Sequence, residues 1–424
     1  MTASRAVRVT LAAALFVAAS CSDGDQSSGT TVALAPIVLR PPSKAEVTEP
    51  PVVTAATTTG NVPTIDTAAP GADDSVTTVP VTTVPVTTST TSTTTSTTTT
   101  TLPPTPVTLS FTGEIWAQKG VVNAAMAEGA VAPDFAPMFA EIGPYIAASD
   151  LAFCHLETPQ SPIELITAIA SAGYDRCSTA SEHVFDGGVE VLNATATAFD
   201  DNGLTQSGIA RTPDEINSIL MEVKGVRIAH LAYTLRYDVA APVGEEWRSA
   251  LIDVPRIITD ATKAREAGAE MVVLSLHWGN ADSARPNPDQ RRWADEVTRA
   301  GVIDLIVGTH SHVVQPIEQV NGVWVAFSLG NSLTYMPTNS QWSKYTQDGI
   351  VVSFTASRGS DGRIVVEAPV VRPTFVDKAA GCVIRDVLGI LADPAAHDAS
   401  LVKAAQASYN RTTQILGAGL LATN

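Results

Sequence analysis

The sequence predicts an α/β sandwich preceded by a disordered linker, on three observations. First, the opening hundred residues are compositionally foreign to the rest, with a stretch from Val76 to Thr101 that is almost entirely Thr, Val, Ser and Pro. Second, from Val107 onward short apolar runs alternate with amphipathic stretches, and then runs follow one another with no helix between them, the order of an α/β domain. Third, polar residues recur just after the apolar runs, where the strand ends of α/β sheets bind ligands.

The chain has 424 residues and a formal net charge of −17. No basic stripe is present to neutralise phosphates, so nucleic acid is excluded as a partner class. Arg5 and Arg8 precede an apolar run over 11–19, which ends at Ala18-Ala19-Ser20-Cys21. Small residues before a cysteine resemble a bacterial lipobox, so residues 1–20 are expected to be a lipoprotein signal peptide and Cys21 the lipidation site. The apolar run is too short to span a bilayer, so acyl chains are expected to be the membrane anchor. The domain would then be exported and face the cell wall or surface. Residues 21–106 have no periodic apolar face and cannot offset their conformational entropy by burial. As a loose coil this linker spans roughly 50 Å, and in polyproline geometry over roughly 200 Å.

The globular part, 107–380, opens on a buried strand over 107–111 that leads to a turn at Thr112-Gly113. A helix is expected over 135–148, strands over 151–154 and 174–179, and a helix from Asp186, its N-cap, to Asn202-Gly203. A strand over 226–233, a helix over 254–267 and a strand over 271–276 follow; the last is apolar throughout, as in a strand buried on both faces. A helix over 289–300 and strands over 303–307, 323–329, 349–355 and 364–371 complete the domain. A helical tail over 381–424 closes the chain. Cys154 and Cys177 lie on predicted strands that point at the same site and are the expected disulfide; Cys382 is left over.

Five of the seven histidines follow strand ends: His155, His183, His277, His310 and His312. Glu114, Glu157, Glu182 and Asp186 sit in the same segments. His230 lies inside an apolar strand and is expected to be a core residue. Two imidazoles at i and i+2, as in Gly308-Thr309-His310-Ser311-His312, can each place a nitrogen on a metal in a shared cavity. Imidazoles and carboxylates converging from several strand ends suit a two-metal centre, which clamps attacking and leaving oxygens. No GxSxG elbow or P-loop occurs, which argues against serine hydrolases and nucleotide-driven enzymes.

Several segments agree in order with one family. They are Phe111-Thr112-Gly113-Glu114, Cys154-His155-Leu156-Glu157-Thr158-Pro159, Ala172-Gly173-Tyr174-Asp175, Ser181-Glu182-His183-Val184-Phe185-Asp186, Leu276-His277-Trp278-Gly279, the His310/His312 segment through Glu318, and Ser328-Leu329-Gly330-Asn331. Together they resemble the CapA family, linked to poly-γ-glutamate capsule synthesis and export and related to calcineurin-like metallophosphatases. The resemblance implies a four-layer αββα metallophosphatase-like sandwich and two divalent metal ions, of Mn, Mg, Ca, Fe or Zn. It also implies an exported anionic polymer or its precursor as partner, alongside other capsule-synthesis proteins.

By position, the resemblance makes Glu114 and His312 ligands to the first metal and Glu157 the bridge. Glu182, His277 and His310 become ligands to the second metal, and His183 the proton donor to the leaving oxygen. His155, Asp186 and Asn331 support them. The chain departs from the family where Glu114 replaces Asp, Glu182 replaces Asn, and Ala281 stands where a carboxylate is frequent. A longer Glu114 misplaces its carboxylate unless the backbone adjusts. An added anion at Glu182 makes the centre less positive and favours harder ions. Two functions follow: a metal-dependent hydrolase or transferase, or a non-catalytic polymer-binding protein with a degenerate site.

Overall fold

The computed structural model describes residues 106–126, 128–216 and 220–423; the expected signal peptide, Cys21 and the linker up to residue 105 lie outside the described residues. The first half of the domain runs β1 (Val107–Ile115), α1 (Lys119–Ala125), α2 (Gly143–Ala147), β2 (Leu151–Leu156), α3 (Ile163–Ser171), β3 (Arg176–Ser178), α4 (Gly188–Asp201) and β4 (Thr205–Ser207). The second sheet follows with β5 (Leu220–Val223), β6 (Val226–Thr234), α5 (Val254–Glu266), β7 (Met271–His277), α6 (Pro288–Arg299), β8 (Leu305–Thr309), β9 (Ile317–Val320) and β10 (Val323–Ala326). The chain then returns to the first sheet through β11 (Asn331–Leu333), β12 (Asp348–Arg358), β13 (Ile364–Val366), β14 (Val370–Asp377) and β15 (Val383–Asp386), and ends in α7 (Val387–Ala392) and α8 (Ala399–Leu416).

One sheet has the order β15-β14-β12-β1-β2-β3-β4, with β11 beside β1 and β13 beside β12; the other has the order β5-β6-β7-β8-β10-β9. Within them β1 to β4 are parallel, as are β6, β7, β8 and β10. Parallel neighbours need long crossovers, and the helices supply most of them.

Three apolar clusters separate four layers. Phe111, Phe153, Met271, Val273, Val307 and Phe354 fill the space between the sheets, where Phe111 stacks on Phe153 at 4.5 Å between ring centres. Ile115, Leu156, Ile166, Ile169 and Phe199 join the first sheet to its helices. Leu231, Leu274, Ile257, Ala294 and Val297 join the second sheet to α5 and α6. The alternation along β7 explains its unbroken apolar run: Val273 faces one sheet, while Val272 and Leu274 face the helices. The result is the expected helix–sheet–sheet–helix sandwich.

Local signals set the helix ends. Asp253 caps α5 by accepting from the Arg256 amide at 2.8 Å, and Asn287 with Gln290 forms a capping box on α6. His230 is a core residue: its Nδ1 accepts from Arg176 Nε at 2.8 Å and its Nε2 meets Ser275 Oγ at 2.8 Å. Cys154 and Cys177 are register partners in β2 and β3 and form a disulfide, and Cys382 is a buried free thiol.

Five expectations need correction. The opening strand does not turn at Thr112-Gly113 but runs on to Ile115, carrying Glu114 within it. The helix over 135–148 is broken into a short 3-10 turn and α2, because Gly143-Pro144 interrupts it. Asp186 does not cap α4, which starts at Gly188 without a side-chain cap. The strand over 364–371 divides into β13 and β14 at Ala368-Pro369. Residues 383–386, expected in a helical tail, form β15 and pair with β14, so the helical part starts at Val387. Among the described residues no helix is long and apolar enough to cross a membrane.

Because Phe111 sits where both sheets meet, Phe111→Ala is expected to destabilise the domain by about 3–5 kcal/mol, read as a lower urea midpoint at unchanged slope.

Candidate metal centre

The sandwich brings the ends of β1, β2, β3, β7 and β8 to one edge. Glu114 is the penultimate residue of β1, Glu157 follows β2, Glu182 and His183 follow β3, His277 closes β7, and His310 and His312 follow β8. Their ligand atoms form two groups, Glu114–Glu157–His312 and Glu182–His277–His310, each with all atoms within 4.8 Å of one another. Glu157 also groups with Glu182 and His183, so it links the two.

In the second group, His310 Nδ1 lies 2.9 Å from Glu182 Oε2 and 3.2 Å from His277 Nε2. Glu182 Oε2 and His277 Nε2 are also in direct contact. Atoms about 3 Å apart are spaced as neighbouring ligands of one ion with bonds of about 2.1 Å. In the first group His312 Nδ1 is 2.9 Å from Glu114 Oε2, and His312 Nε2 is 3.7 Å from Glu157 Oε1.

Glu157 tests whether a cation fits. The residue is fully buried, and neither carboxylate oxygen accepts a hydrogen bond. Burial pushes its carboxyl well above the usual range, and the Glu114 and Glu182 charges add to the effect while His312 opposes it. A buried carboxylate without a donor is strongly disfavoured unless it is paired or coordinates a metal. The donor set and spacing around Glu157 therefore fit divalent cations.

The remaining groups titrate accordingly. Burial alone would raise Glu114, but His312 overrides it and holds the carboxyl well below the ordinary range. Burial likewise opposes ionisation of Glu182, and His277 with His310 overrides it. Burial opposes a charge on His312 too; Glu114 and then Glu157 overcome it and raise the imidazole to about 10. Burial, helped by His277, pushes His155 down to about 3.

Several of these side chains are held from behind. His310 and His312 have φ of 88° and 57°, a left-handed backbone that non-glycine residues seldom adopt. Glu114 Oε1 stabilises this turn by accepting from the His310 and His312 amides at 2.6 and 3.3 Å. Thr309 Oγ1 meets His277 Nδ1 at 3.0 Å and so directs Nε2 to Glu182. Asn331 Oδ1 faces His312 Nδ1 at 3.2 Å. His155 lies outside both ligand groups: its Nδ1 meets Ser178 Oγ at 2.7 Å and its ring stacks on His277 at 4.9 Å.

His183 differs from the other histidines of the centre in being part-exposed, with 18% of its side chain accessible. Asp186 holds its Nδ1 at 2.7 Å, and Nε2 points inward, 3.9 Å from Glu157 Oε1. Asp186 therefore orients His183 rather than capping a helix. Ala281 is exposed and adds nothing to the centre; the neighbouring Asp282 carboxylate is bound to Ser343.

Sequence reasoning missed three side chains. Trp116 stacks against His183 and His312 at 5.8 and 5.4 Å, and Trp342 meets His312 edge-on at 6.0 Å. Arg236 reaches Glu182 Oε1 at 3.5 Å from the rim. Trp116 could have been found from its place two residues after Glu114; Trp342 and Arg236 lie in loops that carry no such signal.

Comparison with known proteins follows the same lines. A family model, "Bacterial capsule synthesis protein PGA_cap", matches residues 108–336. The capsule biosynthesis protein CapA of Bacillus anthracis is 26% identical over 240 residues, which cover 51% of this chain and 57% of the relative. The PGA biosynthesis protein CapA of Bacillus subtilis (strain 168) is 26% identical over 278 residues, 61% of this chain and 70% of the relative. The match thus spans little more than half the length of the first relative. Among solved structures, the calcineurin-like phosphoesterase YfkN from Bacillus subtilis aligns with a TM-score of 0.41 and 15% identity, covering 73% of this chain and 99% of that one. Haemophilus influenzae NAD nucleotidase gives 0.39 and 12%, covering 76% of this chain and 64% of its own. Such distant likenesses say nothing about activity. The family match takes in more than half of the chain and every residue of both ligand groups, and the chain belongs to the bacterial capsule synthesis family PGA_cap.

Proposed function

We propose that this protein acts in capsule polymer synthesis, export or processing at the cell surface, as a two-cation hydrolase or transferase. Its substrate would be an exported anionic polymer of the poly-γ-glutamate type, or a phosphorylated or peptide-linked precursor. Family membership and the names of the two CapA relatives support the capsule role. The observation that carries the chemistry is the buried, donorless Glu157 carboxylate between two ligand groups. Lipid anchoring through Cys21, with the linker as a stalk, belongs to the same proposal.

Glu114, Glu157 and His312 would hold one divalent cation, and Glu157, Glu182, His277 and His310 the other. Cations bound there would supply Lewis-acid polarisation of a phosphoryl or acyl oxygen and a more acidic water. Three carboxylates favour the harder ions Mn²⁺, Mg²⁺ or Ca²⁺. Glu114 fixes the His310–His312 turn through its second oxygen, so the imidazoles are held in place before substrate arrives. His183 would give a proton from Nε2 to the leaving group, with Asp186 at Nδ1 supporting that tautomer. Trp116 covers the faces of His183 and His312 and keeps water from that side. A protein of net charge −17 repels a polyanion, so bridging cations also serve binding.

Glu114 and Glu182 favour a second reading, a non-catalytic polymer binder, since both are more demanding or more anionic than the family pattern. Two experiments separate the readings. Purified protein titrated with Mn²⁺ is expected to take up two ions, and Glu157→Gln to weaken uptake by more than about tenfold; no uptake by wild type would remove the metal centre from the account. With Mn²⁺ bound, hydrolysis of phosphate-ester or γ-glutamyl peptide probes is expected, and His183→Ala should lower kcat about 10²–10⁴-fold at unchanged Mn²⁺ uptake. Activity that emerges only in Glu114→Asp with Glu182→Asn would make the natural protein a binder.

A further inference from the structure

We infer that the C-terminal helix α8 positions the first cation group through Arg411, and does not merely close the sheet. The inference rests on the metal reading above. The helix lies beyond residue 336, where the family match ends.

Arg411 projects from α8 onto Asp348, the first residue of β12 and almost fully buried. Its Nη2 donates to Asp348 Oδ1 at 2.7 Å and its Nε to Oδ2, a two-pronged contact with fixed geometry. Asp348 and Gly349 in turn lie hard against Gly330 and Asn331. A Cβ on Gly330 would stand 2.5 Å from the Asp348 carbonyl oxygen, and one on Gly349 2.1 Å from that of Asn331. Only glycine allows these backbones so close, and the contact leaves no slack.

Gly330 and Asn331 then touch both outer ligands of the first group. The Glu114 amide donates to the Gly330 carbonyl at 2.9 Å, and Glu114 is the register partner of Asn331. Asn331 Nδ2 donates to the His312 carbonyl at 3.2 Å and to the Thr346 carbonyl at 2.8 Å, while Oδ1 faces His312 Nδ1. Thr346 belongs to the segment that carries Trp342 against His312. A shift of Asp348 therefore moves Glu114 and His312 together. Among the described residues, no side-chain hydrogen bond or ion pair joins Glu182, His277 or His310 to Asn331, Thr346 or Asp348. The helix thus acts directly on the first cation group and reaches the second only at one remove, through the His310 amide that donates to Glu114. Arg411 is a positioning residue.

The test is Mn²⁺ titration of the full chain by calorimetry, with His312→Ala and His277→Ala used to assign the two binding steps. Arg411→Met is expected to weaken the His312-dependent step about 10–100-fold and the His277-dependent step by a clearly smaller factor. Arg372→Met breaks another C-terminal ion pair, to Asp386, and is expected to lower Tm while moving neither step. If Arg411→Met does not fold, Arg411→Lys keeps the charge but loses the fork and should weaken the same step by a smaller factor. Equal weakening of both steps, or of neither, in the folded Arg411 variant would overturn the inference. Absence of Mn²⁺ binding by wild type would overturn the metal reading beneath it.

Discussion

A fully buried carboxylate with no hydrogen-bond donor is the constraint around which this domain is organised. Glu157 leaves the end of β2, a strand buried along its whole length, and enters a space walled by other acids and imidazoles. The surrounding side chains do not solve its charge: burial and the neighbouring carboxylates push it toward the neutral form, and His312 opposes them only in part. The two-sheet sandwich makes that environment because its packed core buries the strand ends that carry these groups. The same burial strengthens each charge–charge interaction in the centre. Cations that enter would complete an arrangement the fold has already assembled.

Strain and its compensation lie side by side here. The left-handed turns at His310 and His312 persist because Glu114 Oε1 accepts from both amides. Glu114 also lies at an irregular stretch of β1. The pairings of β1 with β2 and with β11 both lose regular register at this residue. One oxygen goes to the turn and the other remains beside His312. Glu182 is accommodated differently. Its added charge lies against two imidazoles, His277 and His310, and Arg236 approaches its outer oxygen.

Much of this was legible in the residues. The parallel core strands announce themselves as unbroken apolar runs, since burial on both faces leaves no polar alternation, and α5 and α6 carry caps at one end and glycines just past the other. The ligand residues stood out because acids and imidazoles clustered after those runs. What escaped was short or contextual. β4 and β11 have three residues each, too few for a period to show. α1 and α3 lack a capping side chain. Asp186 looked like a cap because Asp favours helix starts, but its nearer partner is His183. Asn331 could be flagged from its segment, whereas the route from Arg411 through Asp348 to Asn331 joins residues far apart in the chain, and no local pattern encodes it.

The central claim is that Glu157 is shared between two cations. Crystals grown with Mn²⁺ and measured at the manganese absorption edge test it directly. The account predicts two anomalous peaks, one against Glu114 and His312 and one against Glu182, His277 and His310, with Glu157 in bonding reach of both. A map with Mn²⁺ bound elsewhere and no peak beside Glu157 would contradict it.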